Sequence, residues 1–392
     1  MKKKLIFIGI VITVFITGIT IFMQKKVFGK NPSGTRLERI LKSPNYKNGE
    51  FQNISPTEVS PKDVSMFTVF KDFFNKSETN EPPKPLLMIQ TDLKMLSQND
   101  TNSQENSTSN FNNIDKPKIV WFGHSAYFLT YKGINILVDP VFSGNASPVK
   151  FFGKAFAGTD VYKPNDFPEI DILIITHDHY DHLDYETVVQ LNAKVKKIYT
   201  PLGVGSHLEY WGIDANKIVE FDWWDSHQVN QNIALTATPA RHFSGRSIQR
   251  AKTLWASFVL KLYDYQLFIG GDSGYDTHFK EIGDKFGAFD MVMLESGQYN
   301  TSWPQIHMFP EQTVKAAQDL NAKVLFPVHW GKFSLAFHAW DEPIKRIVKS
   351  ATESNLKITT PMIGEVVVLD SIYPQKKWWE MSEGKIVMYY LI

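Results

Sequence analysis

The sequence predicts an α/β fold in which two β-sheets pack face to face, with helices on the outside. Short apolar runs rich in β-branched and aromatic residues recur from residue 118 onward, and helical segments separate several of them. Histidine or aspartate follows some of these runs directly, next to glycine or proline. A long uncharged apolar segment stands near the N-terminus. The predicted organisation is therefore a hydrophobic N-terminal helix, an extension, and an α/β domain with functional groups at its strand ends.

The N-terminal segment predicts a transmembrane helix. Lys2, Lys3 and Lys4 precede an uncharged apolar run, Leu5 to Met23, which as a helix would span roughly 28 Å. A cleaved signal peptide is the alternative, but the run is long for a signal core, and no small-x-small cleavage motif follows it before Lys25. We expect residues 1–27 to be a retained single-pass anchor, with the catalytic domain outside the cytoplasm, although basic residues flank the run on both sides.

Residues 28–115 predict an extension followed by a linker. The extension is punctuated by proline, and one short helix is expected near residues 37–41. The stretch "SQNDTNSQENSTSNFNN" at 97–113 is polar, of low complexity and almost without apolar residues. It is typical of a mobile loop or linker because it offers little to bury. The catalytic domain is expected to occupy residues 116–392.

Three strands at the start of this domain predict a β-meander. They are "KIVWFG", "AYFLTY" and "INILVDP", with Lys132 and Gly133 as a turn. Helices are expected at residues 186–191, after a capping Asp184, and at residues 311–320, after Pro310 in the first turn. The remaining strands are expected at "DILIIT", "KKIYT", "IALTATP", "SFVLKLY", "QLFIGG", "DMVMLE", "KVLFPVH" and "GEVVVL".

Composition excludes several function classes. Lysine and arginine number 42 against 41 aspartates and glutamates, a formal net charge of +1, so nothing indicates a protein that binds nucleic acid or another polyanion. Cysteine is absent, which excludes disulfides, thiolate metal ligands and a cysteine nucleophile.

The densest group of candidate ligands is the stretch "THDHYDHLD", directly after a buried aliphatic strand. A helix or a strand would point its histidines in different directions, so only a tight loop could aim most of them at one place. Imidazole and carboxylate groups at this density are best explained by bound metal. A loop that is merely charged and solvated is the alternative, but it predicts nothing at other strand ends. The candidates in the stretch are His177, Asp178, His179, Asp181 and His182.

Three further strand ends carry a candidate ligand each. His242 follows "TATPA", Asp272 follows "LFIGG", and His329 follows "VLFPV". Glycine or proline flanks each of them, which lets the backbone turn sharply. Together with the histidine-rich loop, these residues suffice for two metal ions that share one carboxylate.

The candidate ligands occur in an order that resembles the metallo-β-lactamase superfamily of binuclear metallohydrolases. The order is the motif H-x-H-x-D-H, then a histidine at a strand end, then the aspartate of "GD", then a second histidine at a strand end. Over roughly residues 116–347 the chain is similar to the branch typified by N-acyl-phosphatidylethanolamine-hydrolysing phospholipase D. The resemblance implies the four-layer αβ/βα sandwich of that superfamily. The stretches that carry it are "WFGHSAYFL", "ILVDPVFS", "THDHYDHLD", "PARHFSGR", "GDSGYDTHFKEIGDKFGAFD", "HMFPEQTV" and "PVHWGKFSLAFHAWDEP".

The resemblance implies a role for each candidate ligand. One metal would be held by His177, His179 and His242, and the other by Asp181, His182 and His329. Asp272 would bridge the two metals and so take part in catalysis. Two zinc ions are expected, although iron and manganese accept the same donors. Such a pair would activate a water molecule near neutral pH.

Five other polar residues are expected near these ligands. Asp178 is expected either to orient a neighbouring imidazole or to be solvated. Asp139 is expected to end a strand in a turn, where it could also support a ligand. His124 is expected in the pocket wall or the core. His307 is a candidate to contact the substrate or assist the leaving group, with simple packing as the alternative. His338 is expected either to line the substrate pocket or to support a residue that does. His207 is expected on a helix surface.

The resemblance implies a phosphodiesterase that releases phosphatidic acid from N-acylated phosphatidylethanolamine. A lactonase or another ester or amide hydrolase of the same fold would use the same ligands. An iron oxidase or dioxygenase would show fewer or different ligands, and a binding module would lack some of them; none is missing. The expected partners are a phospholipid or other small ester or phosphodiester substrate and, through the N-terminal helix, a membrane.

Overall fold

The computed structural model describes residues 2–59, 77–98 and 115–381. The predicted linker lies almost entirely outside this part of the chain, as do the residues from 382 onward. The predicted boundaries between anchor, extension and catalytic domain stay predictions.

The described elements are runs of strands interrupted by single helices. Before the domain come α1 (Lys2–Met23), α2 (Gly34–Ile40), β1 (Tyr46–Lys47), β2 (Glu50–Phe51) and α3 (Leu93–Ser97). The first half of the domain contains β3 (Lys118–Trp121), β4 (Tyr127–Tyr131), β5 (Ile134–Val138), β6 (Ile170–Ile174), α4 (Tyr185–Leu191), β7 (Val195–Pro201), α5 (Gly205–Tyr210) and β8 (Ile218–Phe221). The second half contains β9 (Ser226–Asn230), β10 (Ile233–Thr238), β11 (Ser257–Leu262), β12 (Tyr265–Ile269), α6 (His278–Phe286), β13 (Met291–Glu295), α7 (Pro310–Asp319), β14 (Leu325–Val328), α8 (Glu342–Glu353) and β15 (Val366–Val368).

Two mixed sheets form the body of the domain. The seven-stranded sheet has the order β15-β3-β4-β5-β6-β7-β8, antiparallel from β15 to β5 and parallel from β5 to β8. The six-stranded sheet has the order β14-β13-β12-β11-β10-β9, antiparallel from β9 to β12 and parallel from β12 to β14. The loops after β6, β10, β12 and β14 carry the candidate ligands.

Three apolar clusters hold these layers together. The largest lies between the sheets and includes Ile136 and Ile174 from one sheet and Phe258 and Leu260 from the other. A second cluster joins the seven-stranded sheet to helices α3, α4 and α5, and a third joins the six-stranded sheet to α6, α7 and α8. The order helix, sheet, sheet, helix confirms the predicted α/β sandwich.

Every strand predicted from an apolar run is present, and so are the predicted meander and helices α4 and α7. Lys132 and Gly133 both have positive φ, as a tight hairpin turn requires. Sequence analysis missed β8 and β9. Strand β9 alternates exposed and half-buried residues at the edge of its sheet, so its sequence is too polar to predict a strand from apolar runs.

The apolar N-terminal segment forms helix α1, as predicted. Within the described residues, however, no helix combines the length and the apolar character needed to cross a bilayer. The predicted transmembrane anchor is therefore not supported. The expected location of the catalytic domain outside the cytoplasm stays a prediction.

The first part of the N-terminal extension, residues 28–59, lies against the domain. Helix α2 is fixed by Arg36, whose guanidinium donates to Glu220 at 2.8 Å and to Glu209 at 2.8 and 3.0 Å. Farther along, the Phe51 amide donates to the Ala251 carbonyl at 2.8 Å. The extension thus reaches the loop after β10, which carries one of the candidate ligands.

Candidate binuclear metal site

The histidine-rich stretch forms a tight loop at the end of β6, as its sequence predicts. The amides of His182 and Leu183 both donate to the His179 carbonyl, at 3.1 and 2.8 Å. This turn brings His177 and His182 beneath the surface, where their rings are 4.1 Å apart between centroids. The loop is therefore a buried part of the site.

A first group of donors forms around His179. The Nε2 atoms of His177 and His242 lie 3.0 and 3.1 Å from Nδ1 of His179. Each of these Nε2 atoms is 3.7 Å from Oδ2 of Asp272. One donor atom from each of the four residues lies within 4.8 Å of the others. Three imidazole nitrogens and one carboxylate oxygen at this spacing could hold one metal ion.

A second group forms around Asp181. Its Oδ2 lies 2.9 Å from Nε2 of His124, 3.3 Å from Nε2 of His329 and 3.6 Å from Nε2 of His182. Donor atoms of these four residues also lie within 4.8 Å of one another. His124, expected in the pocket wall or core, is thus close enough to be a further ligand. Its position follows from a turn at positive φ, which the sequence does not reveal.

Asp272 lies between the two groups. Its Oδ1 is 3.2 Å from Nε2 of His182, and its Oδ2 is 3.2 Å from Nε2 of His329. The same carboxylate is 3.7 Å from the two first-group imidazoles named above. Asp272 is buried, and it occupies the position that the sequence analysis gave to a bridging carboxylate.

The electrostatics of the site depend on burial and on the carboxylates. Burial lowers the pKa of His177 and of His242 well below the usual histidine value, which favours neutral imidazole. Burial would also lower the pKa of His182, but Asp272, Asp181 and Asp139 raise it to about 10. For Asp272, burial favours the neutral acid, yet His182 and His329 hold its pKa well below the usual range. The carboxylate is therefore kept ionised.

Two unpaired buried atoms test whether the residues fit a metal pair. Nε2 of His182 and Oδ1 of Asp272 are both inaccessible to solvent, and although they lie 3.2 Å apart, neither makes a hydrogen bond to any of the residues that the structure describes. Orphaned buried polar atoms are rare in folded proteins because each loses its hydration without compensation. Coordination of a cation would satisfy both atoms. The donor set of imidazole and carboxylate without thiolate fits zinc, iron or manganese, so the residues fit the expected metals without selecting one.

Asp139 supports His182 from behind. Its Oδ2 lies 2.7 Å from Nδ1 of His182, and it also accepts hydrogen bonds from the amide and the hydroxyl of Thr176, at 2.8 and 2.6 Å. The other ring nitrogen of His182 is left to face Asp272. Asp139 therefore both ends its strand and orients a candidate ligand.

Asp178 is buried rather than solvated. It accepts hydrogen bonds from the Gly245 amide at 2.7 Å and from the Thr253 hydroxyl at 2.8 Å, and it lies 3.1 Å from Nε2 of His207. Burial would raise the pKa of Asp178, but the hydrogen bond and charge of His207 bring it below the usual value. Asp178 thus ties the histidine-rich loop to the loop that carries His242.

The prediction that His207 lies on a helix surface is wrong. Its side chain is 2% exposed, and its Nδ1 accepts a hydrogen bond from the Lys30 amide at 3.0 Å. The N-terminal extension covers the helix there, and a Cβ added to Gly29 would lie 2.1 Å from Nδ1 of His207. A contact between positions so far apart in the chain could not be predicted from local sequence.

His242 is held at both its ring and its backbone. Its Nδ1 lies 2.8 Å from the Ile306 carbonyl, which leaves Nε2 for the first group of donors. The side chain of Asn53 pairs with the backbone of His242, donating to the carbonyl at 2.8 Å and accepting from the amide at 3.0 Å. Sequence analysis missed Asn53 because nothing marks it within the extension.

His307 lines the cavity above the donors, and its contact with a substrate stays a prediction. Its ring stacks on that of His329 at 5.3 Å and 15°, and its Nδ1 lies 3.0 Å from Oε2 of Glu295. Glu295 is also missing from the sequence predictions. Glu295 is the last residue of an apolar strand, and the candidate ligands likewise come at or after strand ends. Its position could therefore have identified it.

His338 lies behind the cavity wall, which is the supporting position that sequence analysis left open for it. Its Nε2 accepts a hydrogen bond from the Gln298 amide at 2.8 Å, and its ring stacks on Tyr299 at 4.5 Å. Gln298 lines the cavity, whereas His338 lies behind it. His338 therefore supports the wall and does not form its surface.

The cavity above the two donor groups has a volume of about 260 Å³. His179, Asp181, His242, Asp272 and His329 contribute to its lining, so the candidate ligands are reachable from it. Its other walls are mostly apolar, with one arginine whose guanidinium lies 5.3 Å from the centre of the Phe243 ring. These wall residues are Val59, Phe243, Arg250, Trp303, Ile306 and Leu335.

The sequence of this chain is similar to those of several known proteins. A family model described as the β-lactamase superfamily domain matches residues 134–330. An uncharacterised protein of Mycobacterium tuberculosis is 35% identical over 346 residues, covering 86% of this chain and 88% of that protein. The mitochondrial N-acyl-phosphatidylethanolamine-hydrolysing phospholipase D of Saccharomyces cerevisiae is 34% identical over 242 residues, 58% of this chain and 50% of that enzyme.

Among solved structures, CmlA, a diiron β-hydroxylase from Streptomyces venezuelae, superposes with a TM-score of 0.53. It shares 17% sequence identity, with 65% of this chain and 55% of that chain covered. At this identity the likeness shows the fold alone. The resemblance to the phospholipase D branch is confirmed by the sequence relatives, and the domain match shows that the chain belongs to the metallo-β-lactamase superfamily and is a metal-dependent hydrolase.

Proposed function

We propose that the chain is a phosphodiesterase of the phospholipase D type, which acts on N-acylphosphatidylethanolamine-like glycerophospholipids with two zinc ions. The observation that carries the proposal is the cavity, which joins two groups of metal donors to an apolar wall with a permanent positive charge. An anionic phosphodiester with apolar chains matches all three features. The similarity to the yeast phospholipase D supports the same substrate class.

Each donor group has a defined task in this proposal. His177, His179 and His242 would hold one ion, and Asp181, His182 and His329 would hold the other, with His124 close enough to join them. Asp272 contacts both groups and would keep the two ions at a fixed separation. When bound, a pair of divalent cations activates water as the nucleophile and neutralises charge that develops on the phosphoryl oxygens.

The other residues of the cavity bind and orient the substrate. The apolar wall excludes water and accommodates the lipid side. Arg250 attracts the negative charge of a phosphodiester, and its contact with the Phe243 ring holds its guanidinium at the cavity. His307 has its Nδ1 engaged by Glu295, so it can donate a proton from Nε2 to the leaving oxygen in the imidazolium form, in which both ring nitrogens carry a proton.

Replacement of Asp272 by alanine should remove at least one metal equivalent, because the two donor groups then lose their shared carboxylate. We expect about two equivalents of metal per chain in the wild-type protein purified without chelator, measured by inductively coupled plasma mass spectrometry. Asp276→Asn is the matched control, since Asp276 lies nearby in sequence and outside both donor groups. Retention of both equivalents in Asp272→Ala would contradict the bridging role.

The substrate class is tested with a panel of one N-acylated phosphatidylethanolamine, one soluble phosphodiester, one lactone and one β-lactam. We expect cleavage of both phosphodiesters, with phosphatidic acid as the lipid product, and loss of activity on chelation that zinc restores. Mass spectrometry of the products identifies the bond that is cleaved. Turnover of the lactone without any phosphodiester cleavage would instead indicate a lactonase of the same fold.

Substitution of Arg250 by glutamine should raise the KM for the soluble phosphodiester by roughly two- to fivefold, because a partly solvated ion pair contributes up to about 1 kcal/mol. The effect should shrink at high salt, since mobile ions screen exposed charges. Lys349→Gln removes an exposed positive charge on α8 and serves as the control. Equal KM values for Arg250→Gln and Lys349→Gln, at low salt, would exclude Arg250 from substrate binding.

A further inference from the structure

Glu295 is a buried carboxylate at the end of β13, with 1% of its surface exposed. Neither its position in the sequence nor the proposed ligand set gives it a task. We infer that Glu295 is a positioning residue that holds His307 and His329 through their Nδ1 atoms and fixes the segments around the metal site relative to one another. The inference rests on the metal-binding part of the proposed function and does not depend on the substrate.

One oxygen of Glu295 faces both imidazoles. Its Oε2 lies 3.0 Å from Nδ1 of His307 and 3.4 Å from Nδ1 of His329. Nδ1 of His329 is also 3.4 Å from the Gly297 carbonyl, so two acceptors face the same nitrogen. The two rings are stacked nearly parallel, which lets a single oxygen reach both Nδ1 atoms.

The other oxygen binds the backbone of two segments. Oε1 of Glu295 accepts a hydrogen bond from the Met308 amide at 2.7 Å and a longer one from the Ser273 amide at 3.4 Å. Met308 directly follows His307, and Ser273 directly follows Asp272. The carboxylate therefore contacts the segment of the bridging aspartate, the segment of the cavity histidine and the ring of a candidate ligand.

These contacts require both carboxylate oxygens of Glu295 to act as hydrogen-bond acceptors. A neutral imidazole that donates its Nδ1 proton presents an unprotonated Nε2, which is the form that binds a metal. An ionised carboxylate can accept the three hydrogen bonds from His307, Met308 and Ser273 and also face Nδ1 of His329 at 3.4 Å. The amide of a glutamine accepts at one atom only and places an unwanted donor at the other. Glu295 thus selects the ring nitrogen that His329 presents to Asp181 and Asp272, and the one that His307 presents to the cavity.

The alternative is that Glu295 is itself a ligand. Donor atoms of Asp272, Glu295, His307 and His329 also lie within 4.8 Å of one another. However, the nitrogens that face Glu295 are the Nδ1 atoms, while Nε2 of His329 faces Asp272 and Asp181 on the opposite side of the ring. Both oxygens of Glu295 already accept backbone or imidazole protons. Hydrogen bonding therefore accounts for the contacts of Glu295 without a third ion.

The test compares the full chain with its Glu295→Gln variant. Competition with a chromogenic chelator should show that one of the two zinc equivalents binds about ten- to a hundredfold more weakly in the variant, the usual effect of removing a partner behind a ligand. Glu365→Gln is the matched control: Glu365 also accepts a loop amide, that of Met362 at 2.9 Å, but lies outside the donor groups. The control should bind both equivalents like the wild type.

A second measurement needs no variant at this position, so it remains decisive if Glu295→Gln fails to fold. Nitrogen-15 spectra of histidine-labelled, zinc-loaded wild-type protein should show His307 protonated at Nδ1, assigned with the help of His307→Gln. A proton on Nε2 alone would overturn the inference. Unchanged zinc affinity in a folded Glu295→Gln protein would also overturn it, as would three zinc equivalents in the wild type and two in the variant. None of these outcomes depends on whether phosphodiesters are cleaved.

Discussion

The structure depends on one electrostatic constraint: histidine and aspartate side chains from several strand ends converge in a buried site. Removing such groups from water is unfavourable unless they are paired or coordinate a cation. In this chain the carboxylates of Asp272 and Asp181 are surrounded by imidazoles. Within the described part of the chain, two buried candidate ligand atoms, Nε2 of His182 and Oδ1 of Asp272, make no hydrogen bond. Bound metal would compensate this arrangement, so that part of the metal's binding free energy would be folding free energy.

The fold meets this constraint by placing strand ends next to each other. The apolar core between the two sheets positions β6 of one sheet against β12 and β14 of the other, and the loops that follow these strands meet at one edge. A layer of hydrogen bonds behind the donors then sets the direction of each imidazole. Asp139 does this for His182, the Ile306 carbonyl for His242, and Asp178 connects two of the loops. The rigidity of the site comes from these contacts.

The features that could be predicted from the sequence are those that a local pattern of residues determines. Apolar runs such as "DILIIT" and "LFIGG" predicted strands, and the polar residues that follow predicted the convergence of His177, Asp272 and His329. Contacts made across the fold were not predictable. His207 is buried because the extension covers it, and His338 lies behind the cavity wall because its Nε2 binds the Gln298 amide. Asn53 was missed because its partner His242 lies far from it in the sequence. Glu295 ends an apolar strand and could have been found there, but its contacts with His307 and His329 could not be read from the sequence.

Fold membership does not select the reaction, since a diiron β-hydroxylase shares this architecture. The central claim is that two metal ions lie on either side of Asp272. The most direct measurement is anomalous X-ray diffraction from crystals of the metal-loaded protein, recorded above and below the zinc absorption edge. The account predicts two zinc peaks, one within the group of His177, His179 and His242 and one within the group of Asp181, His182 and His329. A single peak, or peaks that do not contact Asp272, would contradict it.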